Sequence, residues 1–233
     1  MNEVLRRAAA HVVVADVGAP VLADRAAHHL FRVLRVRDGE TVTVTDGAGA
    51  WRSCRATADT LLPDGDIVEE PAPWPPIELY VAIPKQDRPD WVVQKATELG
   101  VDRVVLLHAE RSVVRWEGER ATRHLDKLRT VVLEASMQSR RVWIPVVEGV
   151  VPAIEVLTGT PGGLAVAEPG GRAPGPGDHR LAIGPEGGWS PAELAAAADR
   201  VDLGPNVLRV ETAALAACVR LTAARTGAGT REP

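Results

Sequence analysis

Aromatic residues are scarce in this chain of 233 residues, with one Phe, one Tyr and six Trp. So few rings exclude a sheet that stacks successive nucleobases or an aromatic platform for single strands, although a tryptophan remains for one base contact. Cys54 and Cys218 are the only cysteines, too few for a disulfide framework and without the CxxC spacing of a zinc site. The six histidines fall in no HExxH-type pattern, so no metal is expected. No apolar run approaches the roughly 20 residues that cross a bilayer, and the first residues lack a signal peptide's apolar stretch. A cytoplasmic chain without a membrane partner is therefore expected. Lysine is rare as well: Lys85, Lys95 and Lys127 are three of 27 basic residues, so positive charge is carried by guanidinium groups suited to bidentate phosphate contact. The formal charge of −4 excludes a general positive coat for nucleic acid but not a local basic face.

Familiar catalytic signatures are missing too. There is no GxxxxGK phosphate loop, no GxSxG nucleophile elbow, and neither cysteine has an evident base. The fragment DGAGAW at 46–51 starts like GxGxxG but lacks the last glycine and falls where a hairpin is expected, so a Rossmann dinucleotide site has no support.

What is present divides into two textures. Residues 1 to about 70 hold short β-branched or alternating runs (HVVVADV, ETVTVTDG, WRSCRATA, GDIVEE) broken by Asp-Gly turns, the pattern of a small barrel or sandwich. One helical interlude, LADRAAHHLFRVLRV, has Leu30, Val33 and Leu34 spaced for an inner side, leaving its arginines outside. Prolines at 71, 73, 75 and 76 then form a stiff linker. From residue 77 strands and helices alternate, which predicts crossover connections and a mostly parallel sheet with helices on both faces. The expected domains are 1–72 and 73–233.

The stretch LAIGPEGGWSPAEL, 181–194, runs from a strand through glycines into a helix. Ser190, Pro191 and Glu193 predict a capping box with proline at the first helical position. Gly184, Gly187 and Gly188 predict backbone turned through positive φ and laid bare to a ligand. Two similar loops are expected after the strand at 164–167 (AVAEPGG) and at Gly204-Pro205, leading to a helix beginning near Thr212. Three loops at three strand ends predict one pocket of backbone groups flanked by Arg209 and Glu211, suited to a neutral or cationic ligand containing a purine.

LAIGPEGG and LGPNVLRVETAALAA, in that order, with WVVQKATELGV, ERSVV and EASMQSRRVWIP upstream and HHLFRVLRVRDGE near the start, resemble the ribosomal RNA small-subunit methyltransferase E family of the SPOUT superfamily. The likeness runs over nearly the whole chain. It implies an α/β domain with a trefoil knot over 73–233 and an N-terminal PUA-like β-barrel over 1–72 that binds RNA. It further implies a homodimer that transfers a methyl group from S-adenosylmethionine to N3 of a uridine in 16S rRNA, alone or in the 30S subunit. The resemblance assigns the cofactor to Ala167, Glu168, Gly184, Glu186, Gly187, Gly188, Leu203, Gly204, Leu208 and Thr212. Asn206 departs from the family, where arginine commonly follows Gly-Pro, and Val210 stands where threonine is frequent.

N3 of uracil must lose an imide proton before it attacks, so the site needs aligned reactants, a stabilised anion and a route for the proton. Arg209 and Glu211 are the expected catalytic residues, Arg209 supplying charge and Glu211 accepting the proton or orienting the arginine. Glu211 and Thr212 also suit a plain helix start. Arg32, Arg35, Arg111, Arg115 and Arg140 are expected to bind RNA phosphates. The competing readings are a non-catalytic RNA-binding dimer and a SPOUT methyltransferase acting on another RNA.

Overall fold

The computed structural model describes residues 2–86 and 88–227; Asp87, the first residue of an expected helix, falls outside these. Two compact units emerge, Met1–Ala72 with Leu133–Ile144, and Pro73–Val132 with Pro145–Pro233. Among the described residues no helix is long and apolar enough to cross a membrane.

In the first unit α1 (Glu3–Arg7) leads to β1 (Ala10–Val13), and α2 (Asp24–His28) runs directly into a turn of π-helix, His29–Val33. β2 (Thr41–Thr45), β3 (Ala50–Thr57), β4 (Thr60–Pro63) and the short β5 (Val68–Glu69) complete a five-stranded sheet in the order β1-β2-β3-β4, with β5 on β3. β1 and β2 are parallel; the other pairs are antiparallel. Val42 and Val44 of β2 are fully buried on one face, each worth roughly 1.5–3 kcal/mol. Thr43 and Thr45, on the alternate positions, are equally buried. Their hydroxyls are satisfied by His11, Ala50 and the carbonyl of Val142, so residues 141–142 cover the face that alternation alone would leave wet.

Val33 and Leu34 are not on an inner side. Leu30 is buried, but they are 57% and 51% exposed. The expectation assumed an α-helical period throughout; the π-turn widens that period, and Arg35 at φ 58° ends the helix immediately afterwards.

In the second unit the order is β6 (Glu78–Ala82), α3 (Arg88–Glu98), β7 (Arg103–His108), α4 (Gly118–Ser139, its end lying in the first unit), β8 (Val146–Pro152) and α5 (Ala153–Gly159). Then come β9 (Ala165–Arg172), β10 (Arg180–Ile183), α6 (Pro191–Ala196), β11 (Asp199–Val201) and α7 (Val210–Gly227). The sheet is parallel throughout, in the order β11-β9-β10-β6-β7-β8. Tyr80, Val105, Val166 and Ala182 form a core with Leu157 of α5 and Leu194 of α6. The other side is covered by α7, which packs on β6 and β10 and against α3. Both faces are therefore helical, as the alternation predicts. α3 ends where Gly100, φ 93°, lets Val101 N–H reach the Ala96 carbonyl at 3.0 Å.

Candidate functional site

Parallel pairing gathers the carboxyl ends of β9, β10, β6 and β7 along one edge, where open α/β sheets take ligands. The stretch after β10 starts α6 as expected: Ser190 Oγ accepts from Glu193 N–H at 3.3 Å and a Glu193 carboxylate oxygen accepts from Ser190 N–H at 2.8 Å. The second oxygen of Glu193 accepts the Glu110 N–H at 2.9 Å, so one buried carboxylate joins the segment after β7 to that after β10.

The glycines work differently from the expectation. Gly188 alone of the three has positive φ, at 70°. At Gly184 a Cβ would stand 2.9 Å from the Trp189 indole, and at Gly187 it would stand 3.1 Å from Arg111 Cβ. These two are glycine because protein, not ligand, lies against them. Trp189, buried at 4% exposure, donates its indole N–H to the Ala167 carbonyl at 3.1 Å and so ties the segment after β10 to β9.

The segment expected as a loop after 167 lies within β9, yet the ladder with β11 skips it: Val166 pairs with Arg200, and Arg172 with Val201. Residues 167–171 thus form an excursion, with Gly170 at φ 81° and the Arg200 backbone close against Gly171. Asp202 fastens it. Its carboxylate accepts Gly170 N–H and Gly204 N–H, each at 2.9 Å, and these two bonds, Gly204 first, hold its pKa below the usual carboxylate value. At Gly170, Gly188 and Gly204 a Cβ would meet open space, and all three have left-handed φ. Bare backbone facing open space in all three segments is what a bulky ligand needs in order to approach main-chain N–H and C=O groups.

A profile of an RNA methyltransferase domain matches residues 70–222, and one of an RNA methyltransferase PUA domain matches 22–58. The ribosomal RNA small subunit methyltransferase E of Mycobacterium bovis is 35% identical over 226 residues, covering 87% of this chain and 86% of the relative. This chain belongs to the ribosomal RNA small subunit methyltransferase E family. A methyltransferase of Legionella pneumophila, solved with its cofactor SAM, superposes with a TM-score of 0.78 at 27% identity over 92% of this chain and 97% of the other. The methyltransferase E of Neisseria gonorrhoeae, solved bound to S-adenosyl methionine, gives 0.73 at 32% identity over 90% and 95%.

In this chain Leu203, Gly204 and Leu208 of the segment after β11 are half-buried, as are Ala167 and Glu168 in the excursion, whereas Glu186, Gly187 and Thr212 are exposed. α7 begins at Val210, two residues before the expected Thr212, so Arg209 precedes the helix and Glu211 lies in its first turn. Arg209 is exposed and its side chain has no partner among the described residues. Glu211 forms an ion pair with Arg88, a residue read in the sequence only as part of a helix start. Arg111 donates to the Gly187 carbonyl at 3.3 Å, and Arg115 is exposed. His108, which accepts the Trp116 N–H at 3.0 Å, and the stack of Trp116 on His124 with centroids 4.1 Å apart order the segment that carries both. In the first unit Arg32 and Arg35 are exposed; Arg140, at φ 62°, donates to the Ala8 carbonyl at 2.9 Å.

Sequence reasoning missed Arg88, Asp202 and the second bond of Glu193. Asp202 had a readable signal, since aspartate two residues before a glycine is a common turn former. A cavity of ≈ 390 Å³ lies at the opposite edge of the sheet, lined by Glu78, Arg103 and Arg180 at the starts of β6, β7 and β10, away from the glycine segments.

Proposed function

We propose that the chain transfers a methyl group from S-adenosylmethionine to N3 of a uridine in the 16S RNA of the small ribosomal subunit, in the cytoplasm and as a homodimer. The observation that carries this reading is the fastening of three glycine-bearing segments, by Trp189 and by Asp202, at one edge of a sheet whose relatives were solved with that cofactor bound.

The residues present fit such a group. Gly170, Gly188 and Gly204 offer backbone without side-chain bulk, and Leu203 and Leu208 offer apolar surface. Ala167, Glu168, Gly184, Glu186, Gly187 and Thr212 complete the proposed holding set. When bound, the cofactor supplies an electrophilic methyl group. The protein's part is to hold the uracil against it, to exclude misaligned approaches and to favour the anion formed when N3 loses its proton. Arg209 offers positive charge to the RNA beside the third segment. Glu211, already paired with a guanidinium, orients that group rather than taking up the proton.

Phosphate contacts fall to Arg111 and Arg115 on the second unit and to Arg32, Arg35 and the remaining N–H groups of Arg140 on the first. Support for the homodimer comes from α7, which carries apolar or small residues on all sides and leaves Val219 51% exposed, with Val207 before it 92% exposed. The knotted threading and the closed barrel that the family resemblance implies belong to the same proposal. Calorimetry with S-adenosylmethionine, together with nucleoside mass spectrometry of 16S rRNA from cells with and without the gene, tests it. Binding and a gene-dependent 3-methyluridine are expected; a protein that binds RNA but no cofactor would be the non-catalytic alternative.

A further inference from the structure

Arg88, the first residue of α3, forms an ion pair with Glu211 in the first turn of α7. The Glu211 side chain is 14% exposed and that of Arg88 35%, so the carboxylate is mostly sheltered while about a third of the arginine side chain is open. Among the described residues that guanidinium has no second partner. β6 lies between β10 and β7, with Val81 beside Ile183 and Ala82 beside Leu107. The connection from β6 to Arg88 therefore leaves the sheet at the same edge as the Gly184–Gly188 segment. Arg209, at that edge too, is exposed and untethered.

Two arginines thus lie at the edge of the sheet that carries the proposed cofactor segments, one ion-paired and one free. Stabilising charge that develops during a reaction is effective when the stabilising group is already in position, and a free arginine must first give up its rotamer freedom. We propose that Arg88, oriented by Glu211, is the catalytic cation: it donates to a uracil carbonyl oxygen as N3 loses its proton, while Arg209 serves RNA binding. This rests on the methyl-transfer reading above. The N3–H bond breaks and the proton leaves to water, because Arg88 is already protonated and Glu211 is engaged by it. The N3 electron pair then forms the bond to the methyl group, whose bond to sulfur breaks with its electrons left on sulfur. The fork of the guanidinium suits this division, since one edge can hold the carboxylate while another reaches the base.

The test measures 3-methyluridine formation on small ribosomal subunits from cells lacking the enzyme, in multiple turnovers from neutral to alkaline pH, with cofactor affinity measured in parallel by calorimetry. Arg88→Ala is expected to lower kcat by about 10²–10³-fold at neutral pH, the usual effect of losing one donor to a developing oxyanion. The deficit should shrink as pH rises, because alkali then supplies the anion that Arg88 would have favoured, and cofactor binding should persist. Glu211→Gln should lose about tenfold with the same pH trend, the worth of one charge-assisted hydrogen bond that holds Arg88 in place. Arg209→Ala should change KM for the subunit more than kcat. Arg88→Lys, which keeps the charge without the fork, carries the test if the alanine variant does not fold, and should show a smaller deficit of the same pH dependence. A loss equal at every pH, or normal turnover by Arg88→Ala or Arg88→Lys, would overturn the role of Arg88 while leaving methylation intact. No 3-methyluridine from the unsubstituted protein would remove both readings together.

Discussion

His11 is 3% exposed, with Nε2 3.1 Å from the Arg141 carbonyl and Nδ1 2.8 Å from Thr43 Oγ1. A carbonyl can only accept, so Nε2 carries the proton and Nδ1 accepts from the hydroxyl. Burial, with a smaller contribution from the charge of Arg140, lowers its pKa from 6.5 to about 4. The unfolded chain binds the proton more readily, so the stability His11 contributes is complete above pH 6.5 and is lost as pH falls from there towards 4. The full difference is worth about 3 kcal/mol. Urea titrations across that range should show the first unit weakening, and a His11→Gln variant should show a flatter dependence. Parallel curves for the two proteins would mean that His11 does not drive the loss. Asp202 gives a second prediction. Its two acceptor oxygens hold Gly170 N–H and Gly204 N–H, and Asp202→Asn would turn an amide N–H₂ against one of them. Calorimetry should find cofactor affinity about tenfold lower, the worth of one lost hydrogen bond, with the fold retained.

At the scale of elements, what the sequence shows depends on how local the cause is. The start of α6 is readable because Ser190, Pro191 and Glu193 carry the whole cap within four residues. The bond from Glu193 to the Glu110 N–H is not, since nothing near either residue marks a contact across 83 positions. Glycines show the same division. Spacing predicts positive φ and approach of a ligand at Gly184 and Gly187, whereas neither has positive φ and an indole and an arginine stem stand against them. Near the N-terminus, apolar spacing correctly puts Leu30 inside and fails at Val33 and Leu34, because periodicity assumes a regular helix where the chain makes a π-turn. The double duty of Glu193 predicts more than the loss of a cap. Ser190→Ala should cost about 1 kcal/mol, as for other N-caps. Glu193→Gln leaves a buried N–H without an acceptor and should cost about 1–3 kcal/mol. Thermal melts compare them directly; equal costs would mean that the bond to Glu110 contributes nothing.

For the whole molecule, alternation of strand and helix was enough to predict the parallel sheet covered on both faces, and family motifs pointed to the segments proposed to hold the cofactor. Composition does not reveal that Leu133–Ile144 belongs with the first unit, because the apolar pattern of α4 runs on unbroken to Ser139. Nor does a net charge of −4 reveal how charge is arranged. Several arginines are neutralised within the protein: Arg172 is held by Asp178 and Asp199, Arg103 by Glu78 and Glu148, and Arg225 by Asp102. Arg115 is exposed and has no ion pair among the described residues. A guanidinium of that second kind has its full charge to give to phosphate, whereas Arg32 shares its charge with Asp59 at 3.3 Å, and binding then releases counterions from the RNA. The salt dependence of RNA affinity should therefore respond to Arg115→Ala, which should lower the slope of log K against log salt by about 0.7 if it meets one phosphate of a single strand. Arg172→Gln should leave that slope as it is, because the charge removed already faces two carboxylates. The comparison needs only filter binding at several salt concentrations. If both substitutions changed the slope alike, the distinction between internally paired and free arginines would fail, and the overall charge would have to be treated as a single field.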